Sequence, residues 1–147
     1  MESRGLRVAK AACEGFFRRD RVAPAYGIAL QEIEVDRVVL SMPVREEMIN
    51  STEVCHGGIL FLFADVIFGY ACRTRNMVGV GIQCGINYLA PAKLGEILVG
   101  EGRVQRSGRS TGVVDVTIRN PAGKEVVLFR GTFYRYTGHV VDPDTVA

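Results

Sequence analysis

Residues 59–71 read Ile-Leu-Phe-Leu-Phe-Ala-Asp-Val-Ile-Phe-Gly-Tyr-Ala, apolar around the whole helical wheel except at Asp65. A helix of this kind has no natural solvent face, so the rest of the chain must be wrapped around it. Phe61, Leu62 and Phe68 flank the acid at i−4, i−3 and i+3. An unpaired carboxylate in such surroundings is very costly, and its retention is easiest to explain by chemistry. Directly before the run stands Cys55-His56-Gly57-Gly58. Glycines at a helix start let another molecule approach backbone N–H groups that have no helical partner. Those donors, aided by the positive end of the helix dipole, suit a developing oxyanion.

The remaining pattern says what can do the wrapping. An amphipathic helix is predicted from about Leu6 to Arg18, with Leu6, Ala9, Cys13, Phe16 and Phe17 along one stripe. Two short strands are predicted next, 28–35 and 37–42, turning at Asp36. A polar loop then leads from Val44 to Cys55 and into the central helix, about His56 to Arg73. Strands follow at about 78–89, 96–105, 111–119 and 124–136, separated by turn signals at Pro91–Gly95, Ser107-Gly108 and Asn120-Pro121-Ala122-Gly123. In Val114-Asp115-Val116-Thr117-Ile118-Arg119 apolar and polar residues alternate, as on a sheet with one wet face. The expected architecture is α+β: a curved antiparallel sheet of five to six strands around one long central helix. The chain of 147 residues reads as one domain, with an N-terminal helix within 1–20 and a tail over 138–147.

Composition removes several function classes. The 18 Lys and Arg are interspersed with 16 Asp and Glu, which is neither a nucleic-acid nor a membrane-surface footprint. No apolar run reaches about 18 residues, and the N-terminus has no signal-like apolar region, so a soluble cytoplasmic protein is expected. Cys13, Cys55, Cys72 and Cys84 are irregularly spaced and read as reduced, mostly buried thiols. With two His and no ligand spacing, neither a metal nor a cofactor is expected. Gly108-Arg109-Ser110-Thr111-Gly112 matches the G-x-S-x-G nucleophile pattern, but that motif needs a strand-to-helix turn and this one precedes a strand. Arg106, Arg109, Ser110 and Thr111 either face phosphates or form a solvated polar turn. A Cys55–His56 thiol pair is also disfavoured, since neighbours on extended chain point to opposite faces.

Spacing adds a constraint on assembly. Gly57 and Asp65 are eight residues apart, so one helix separates them by about 12 Å along its axis. A reacting carbonyl needs its oxyanion donor and its attacking group each within roughly 3 Å. A second copy running antiparallel across a two-fold axis meets that requirement, which predicts a dimer with two shared sites.

Met48-Ile49-Asn50, Cys55-His56-Gly57-Gly58, Ala64-Asp65 and Tyr70-Ala71-Cys72 together resemble the hotdog-fold thioesterases. The likeness continues through Asn87-Tyr88-Leu89-Ala90-Pro91 and residues 108–113 and covers about 50–136; Thr111-Gly112-Val113 and Leu128-Phe129-Arg130-Gly131 narrow it to the phenylacetate-catabolism branch. The resemblance implies hydrolysis of (hydroxy)phenylacetyl-coenzyme A, or a related aryl-acyl thioester, to free acid and coenzyme A. It implies Asp65 as nucleophile or base, the Gly57 N–H as carbonyl polariser, Asn50 and His56 as positioning groups, and homotetramers built from dimers. Gly58 joins the substrate-binding set. His56 reads equally as a histidine bonded to local backbone. One departure stands out: 79–85, where relatives often carry a water-orienting hydroxyl, contains none, leaving Gln83 or Cys84 as substitutes. The competing reading is a non-catalytic module that binds acyl-coenzyme A, for which Asp65 would be superfluous.

Overall fold

The computed structural model describes residues 1–146. The apolar run forms α3, Gly57–Ala71, and buries Leu60, Phe63, Ala64, Ile67, Phe68, Tyr70 and Ala71 against the sheet. Before it come α1 (Arg4–Arg19), a short α2 (Val22–Ala25) and the hairpin β1 (Ala29–Glu34) and β2 (Arg37–Pro43). After it come β3 (Met77–Tyr88), β4 (Ile97–Ser107), β5 (Thr111–Arg119) and β6 (Glu125–His139). The six strands are antiparallel in the order β1-β2-β4-β5-β6-β3. The predicted strand count and the helix-in-sheet arrangement are therefore both present.

Two glycines set how closely helix and sheet approach. A Cβ on Gly100 would collide with Ile67, and one on Gly102 would lie 2.9 Å from Ile67 Cγ2 and 3.1 Å from Ala71 Cβ. Fully burying side chains such as Ile67 and Phe63 contributes roughly 1.5–3 kcal/mol each, and this contact exists only because β4 carries no side chain there.

Asp20 joins α1 to the C-terminal end of α3. Its Oδ1 accepts from the N–H groups of Val22 and Ala23, 2.8 and 3.2 Å, starting the short α2 that the pattern did not predict. Its Oδ2 accepts from the Tyr70 hydroxyl at 2.9 Å. The Phe16 ring meets Tyr70 edge-on, centroids 5.1 Å apart.

Two expectations are corrected. The central helix is not buried all round: in the protomer Gly58 and Asp65 are exposed and Leu62, Val66 and Gly69 half-buried. This stripe at helical spacing is the one face of α3 that the sheet leaves open. The C-terminal segment is also not a tail from residue 138. β6 continues to His139, paired with Met77, and the buried Asn76 side chain clasps the next residues. Its Nδ2 donates to the Val141 carbonyl and its Oδ1 accepts from the Val141 N–H, both at 2.9 Å, mimicking one more strand partner. Among the described residues no helix is long and apolar enough to cross a membrane.

Candidate active site

His56 caps α3. Its Nδ1 accepts from the Gly58 N–H at 2.9 Å, while its carbonyl accepts from Ile59 and Leu60. The first-turn donors are thus divided in a definite way. Gly58's amide is taken by the His56 side chain. The Gly57 N–H has no partner among the described residues. It is the free amide at the positive end of the helix. Of the two readings open for His56, the backbone-bonding one is what the geometry displays.

Tyr88, at the far end of β3, holds Gly57 from the other side. Its hydroxyl donates to the Gly57 carbonyl at 3.0 Å, and its ring atoms would lie 3.3–3.5 Å from a Cβ at that position. Sequence pattern gives Tyr88 no role, because the contact arises from the register of a strand 31 residues downstream rather than from local spacing. Asn50 closes the loop before the helix: its Oδ1 accepts from the Thr52 N–H and hydroxyl and the Val54 N–H. Its amide nitrogen has no partner among the described residues. Asn50, Gly57, Leu60 and Tyr88 line one cavity of about 390 Å³, so two of the expected site residues are brought together.

Asp65 lies elsewhere, in a cavity of about 410 Å³ lined by Leu62, Val66, Phe68, Val80 and Arg73. It accepts no hydrogen bond from the described residues. The carboxylate reaches solvent, yet apolar surroundings push its pKa upward, opposed by the Arg73 charge. Gly57 lines one of these two cavities and Asp65 the other. That separation is what their spacing along one helix predicts.

Of the two candidate substitutes on β3, Cys84 is the one that senses the Asp65 charge. Cys84 is half-buried, and burial first, then the negative charge of Asp65, raises its pKa. Gln83 is exposed. Burial pushes Cys13 up to about 12 and Cys55 up to about 11, and raises Cys72, so these thiols are poor nucleophiles. Arg106, Arg109, Ser110 and Thr111 are exposed around the β4–β5 turn and line none of these cavities. The turn is closed by Gly108 N–H to Thr111 carbonyl, 2.8 Å, and passes directly into β5, which rules out a nucleophile elbow.

Comparison with known proteins bears on what this geometry serves. The family model of the thioesterase superfamily matches residues 52–127. Acyl-coenzyme A thioesterase PaaI of Escherichia coli is 36% identical over 124 residues, 84% of this chain and 89% of that protein. The chain belongs to the thioesterase superfamily. The solved E. coli PaaI structure superposes with a TM-score of 0.89 at 34% identity, covering 91% of this chain and 97% of that one. Human acyl-coenzyme A thioesterase 13 is 33% identical over 108 residues, 71% of this chain and 77% of that protein. A Streptococcus mutans structure bound to acetyl-CoA matches at TM-score 0.73 and 33% identity, over 76% of this chain and 90% of that one. As a hotdog-fold thioesterase, this chain wraps its sheet around α3 and starts that helix with the Gly57 amide.

Proposed function

We propose that this thioesterase hydrolyses an aryl-acyl-coenzyme A thioester, with (hydroxy)phenylacetyl-coenzyme A as the leading substrate class, releasing the free acid and coenzyme A. The observation that carries the mechanism is the unpartnered Gly57 N–H on the same helix as an exposed, unpartnered Asp65. In an antiparallel dimer the Gly57 of one protomer faces Asp65 of its partner. The amide polarises the thioester carbonyl, and the carboxylate attacks it or activates water. A thiolate leaves with a pKa near 8.5, taking free Cys as a guide, so no dedicated acid, metal or cofactor is required.

The assembly has support in the fold. β3 is a sheet edge of twelve residues whose outer N–H and C=O groups lack a neighbour strand, and Val80 and Ile82 on it are exposed. Long uncovered edges of this kind pair with another chain. The same edge borders the open stripe of α3, so one interface covers both. Ile97, Val99, Leu128, Tyr134 and Tyr136 are exposed on the outer sheet face. This apolar surface suits the association of two dimers into a tetramer. Arg106, Arg109, Ser110 and Thr111 supply donors for coenzyme A phosphates, with Asn50 and Gly58 bordering the thioester.

Thiol release from phenylacetyl- and 4-hydroxyphenylacetyl-coenzyme A, followed with a thiol reagent, tests the reading. Turnover by the wild type and its loss in Asp65→Asn are expected. If both proteins are equally inert over an aryl and alkyl panel, the chain is an acyl-coenzyme A binding module instead.

A further inference from the structure

Asp20, Tyr70, Cys72 and Arg73 border the Asp65 cavity beyond the carboxylate itself. Asp20 is fully engaged by Val22, Ala23 and Tyr70. Arg73 is not. It is half-buried, lies over the Phe16 ring at 3.9 Å, and forms no ion pair with any described carboxylate. Its Nη1 donates to the Gly69 carbonyl at 2.7 Å and to the Cys72 sulfur at 3.6 Å, and its Nη2 to the Gly79 carbonyl at 3.1 Å. A guanidinium has five N–H groups. Nε–H and one Nη2 hydrogen therefore have no described partner. These donors border the cavity, where an oxygen of a bound ligand can accept from them, and hydrogen bonds from a charged guanidinium are the strong ones.

The position of this cation is set by the helix. Because Arg73 reaches back to Gly69, its guanidinium sits near the residue one turn beyond Asp65, about 6 Å along the axis. One aromatic ring spans that gap. Leu62, Val66, Phe68 and Phe16 supply apolar walls along the way.

We infer that Arg73 selects acyl groups that carry an oxygen acceptor, a carboxylate or a hydroxyl, at the end remote from the thioester. The residue touches the acyl group and not the reacting carbon, so it governs specificity rather than bond cleavage. This rests on the aryl-acyl reading above and deepens it. A carboxylate gains most, since it accepts two charge-assisted N–H bonds at once.

The test compares kcat/KM for three thioesters, phenylacetyl-, 4-hydroxyphenylacetyl- and 4-carboxyphenylacetyl-coenzyme A, in wild type, Arg73→Gln and Arg73→Lys. Wild type is expected to favour the oxygen-bearing substrates over phenylacetyl by about tenfold or more, with the carboxylate ahead of the hydroxyl. In Arg73→Gln the ratios collapse toward one, and in Arg73→Lys the carboxylate preference returns in part. Ratios within one protein cancel any general loss from disturbing Gly69 and Gly79. A wild type that favours phenylacetyl or shows no preference overturns the inference, even if neither variant folds. Ratios preserved in Arg73→Gln overturn it as well. Hydrolysis of none of the three by wild type overturns the aryl-acyl reading itself, a distinguishable outcome.

Discussion

Replacing Gly57 by proline removes one N–H and little else. Gly57 is the first residue of α3, where proline is well tolerated because that amide has no helical partner. His56 has φ −59° and ψ 135°, the extended conformation that a residue before proline prefers. The N–H removed is the one assigned to the carbonyl oxygen, and losing one such donor costs about 10²–10³ in kcat, or roughly 3–4 kcal/mol of transition-state stabilisation. The new side chain also meets the Tyr88 ring, which would lie 3.3 Å from a Cβ. Gly57→Ala carries that same Cβ and keeps the N–H, so it isolates the steric part. Thiol release gives kcat/KM for both variants, and far-ultraviolet dichroism with sedimentation confirms that each folds and dimerises. The expected result is a small, few-fold loss in Gly57→Ala and a loss of at least about a hundredfold in Gly57→Pro. Equal kcat/KM in the two variants would refute the donor assignment.

Three further outcomes follow from the same geometry. Asp65→Asn lowers turnover by orders of magnitude and, at pH 7, raises the melting temperature. The pKa of this carboxyl is raised above its ordinary 3.8 by apolar surroundings. The folded state therefore holds the proton more tightly, and stability falls as pH rises from the ordinary value through the raised one. The gain in Asp65→Asn should vanish in melts below pH 3.8, and a gain independent of pH would contradict it. Tyr88→Phe keeps the ring against Gly57 but loses the hydroxyl bond to its carbonyl, so a destabilisation of about 0.5–1.5 kcal/mol by urea denaturation is expected. Asn76→Ala breaks both bonds to Val141 at a buried site and leaves alanine at φ 58°. It should cost about 2–4 kcal/mol, and a neutral result would return 138–147 to the status of a tail.

Much of the fold was legible because its signals are local. The apolar run could only be an enclosed helix, and the alternation in 114–119 marked a sheet with one wet face. The bounds of α3 and of the last four strands fall within one to three residues of those predicted. What pattern cannot supply is who meets whom across long sequence separations. Asn76 with Val141, Tyr88 with Gly57 and Arg73 with Phe16 are set by tertiary register, and none has a period or motif to betray it. The hydrophobicity of the helix reads as full burial, yet the stripe through Leu62 and Asp65 is open in the protomer. An apolar surface left open in the protomer carries the same signature as one facing its own sheet. At the site, His56-Gly57-Gly58 announced a helix start with free amides. Which amide stays free depends on the His56 rotamer, which spacing does not encode.

A mixed dimer tests the shared site most directly. Asp65→Asn and Gly57→Pro chains, carrying different tags, are co-expressed and the two-tag dimer is purified. If each site takes Gly57 from one protomer and Asp65 from its partner, one of the two sites in the mixed dimer is intact, and activity returns to about half that of wild type. If each site is built within one chain, both are damaged, and the mixed dimer stays as inactive as its parents.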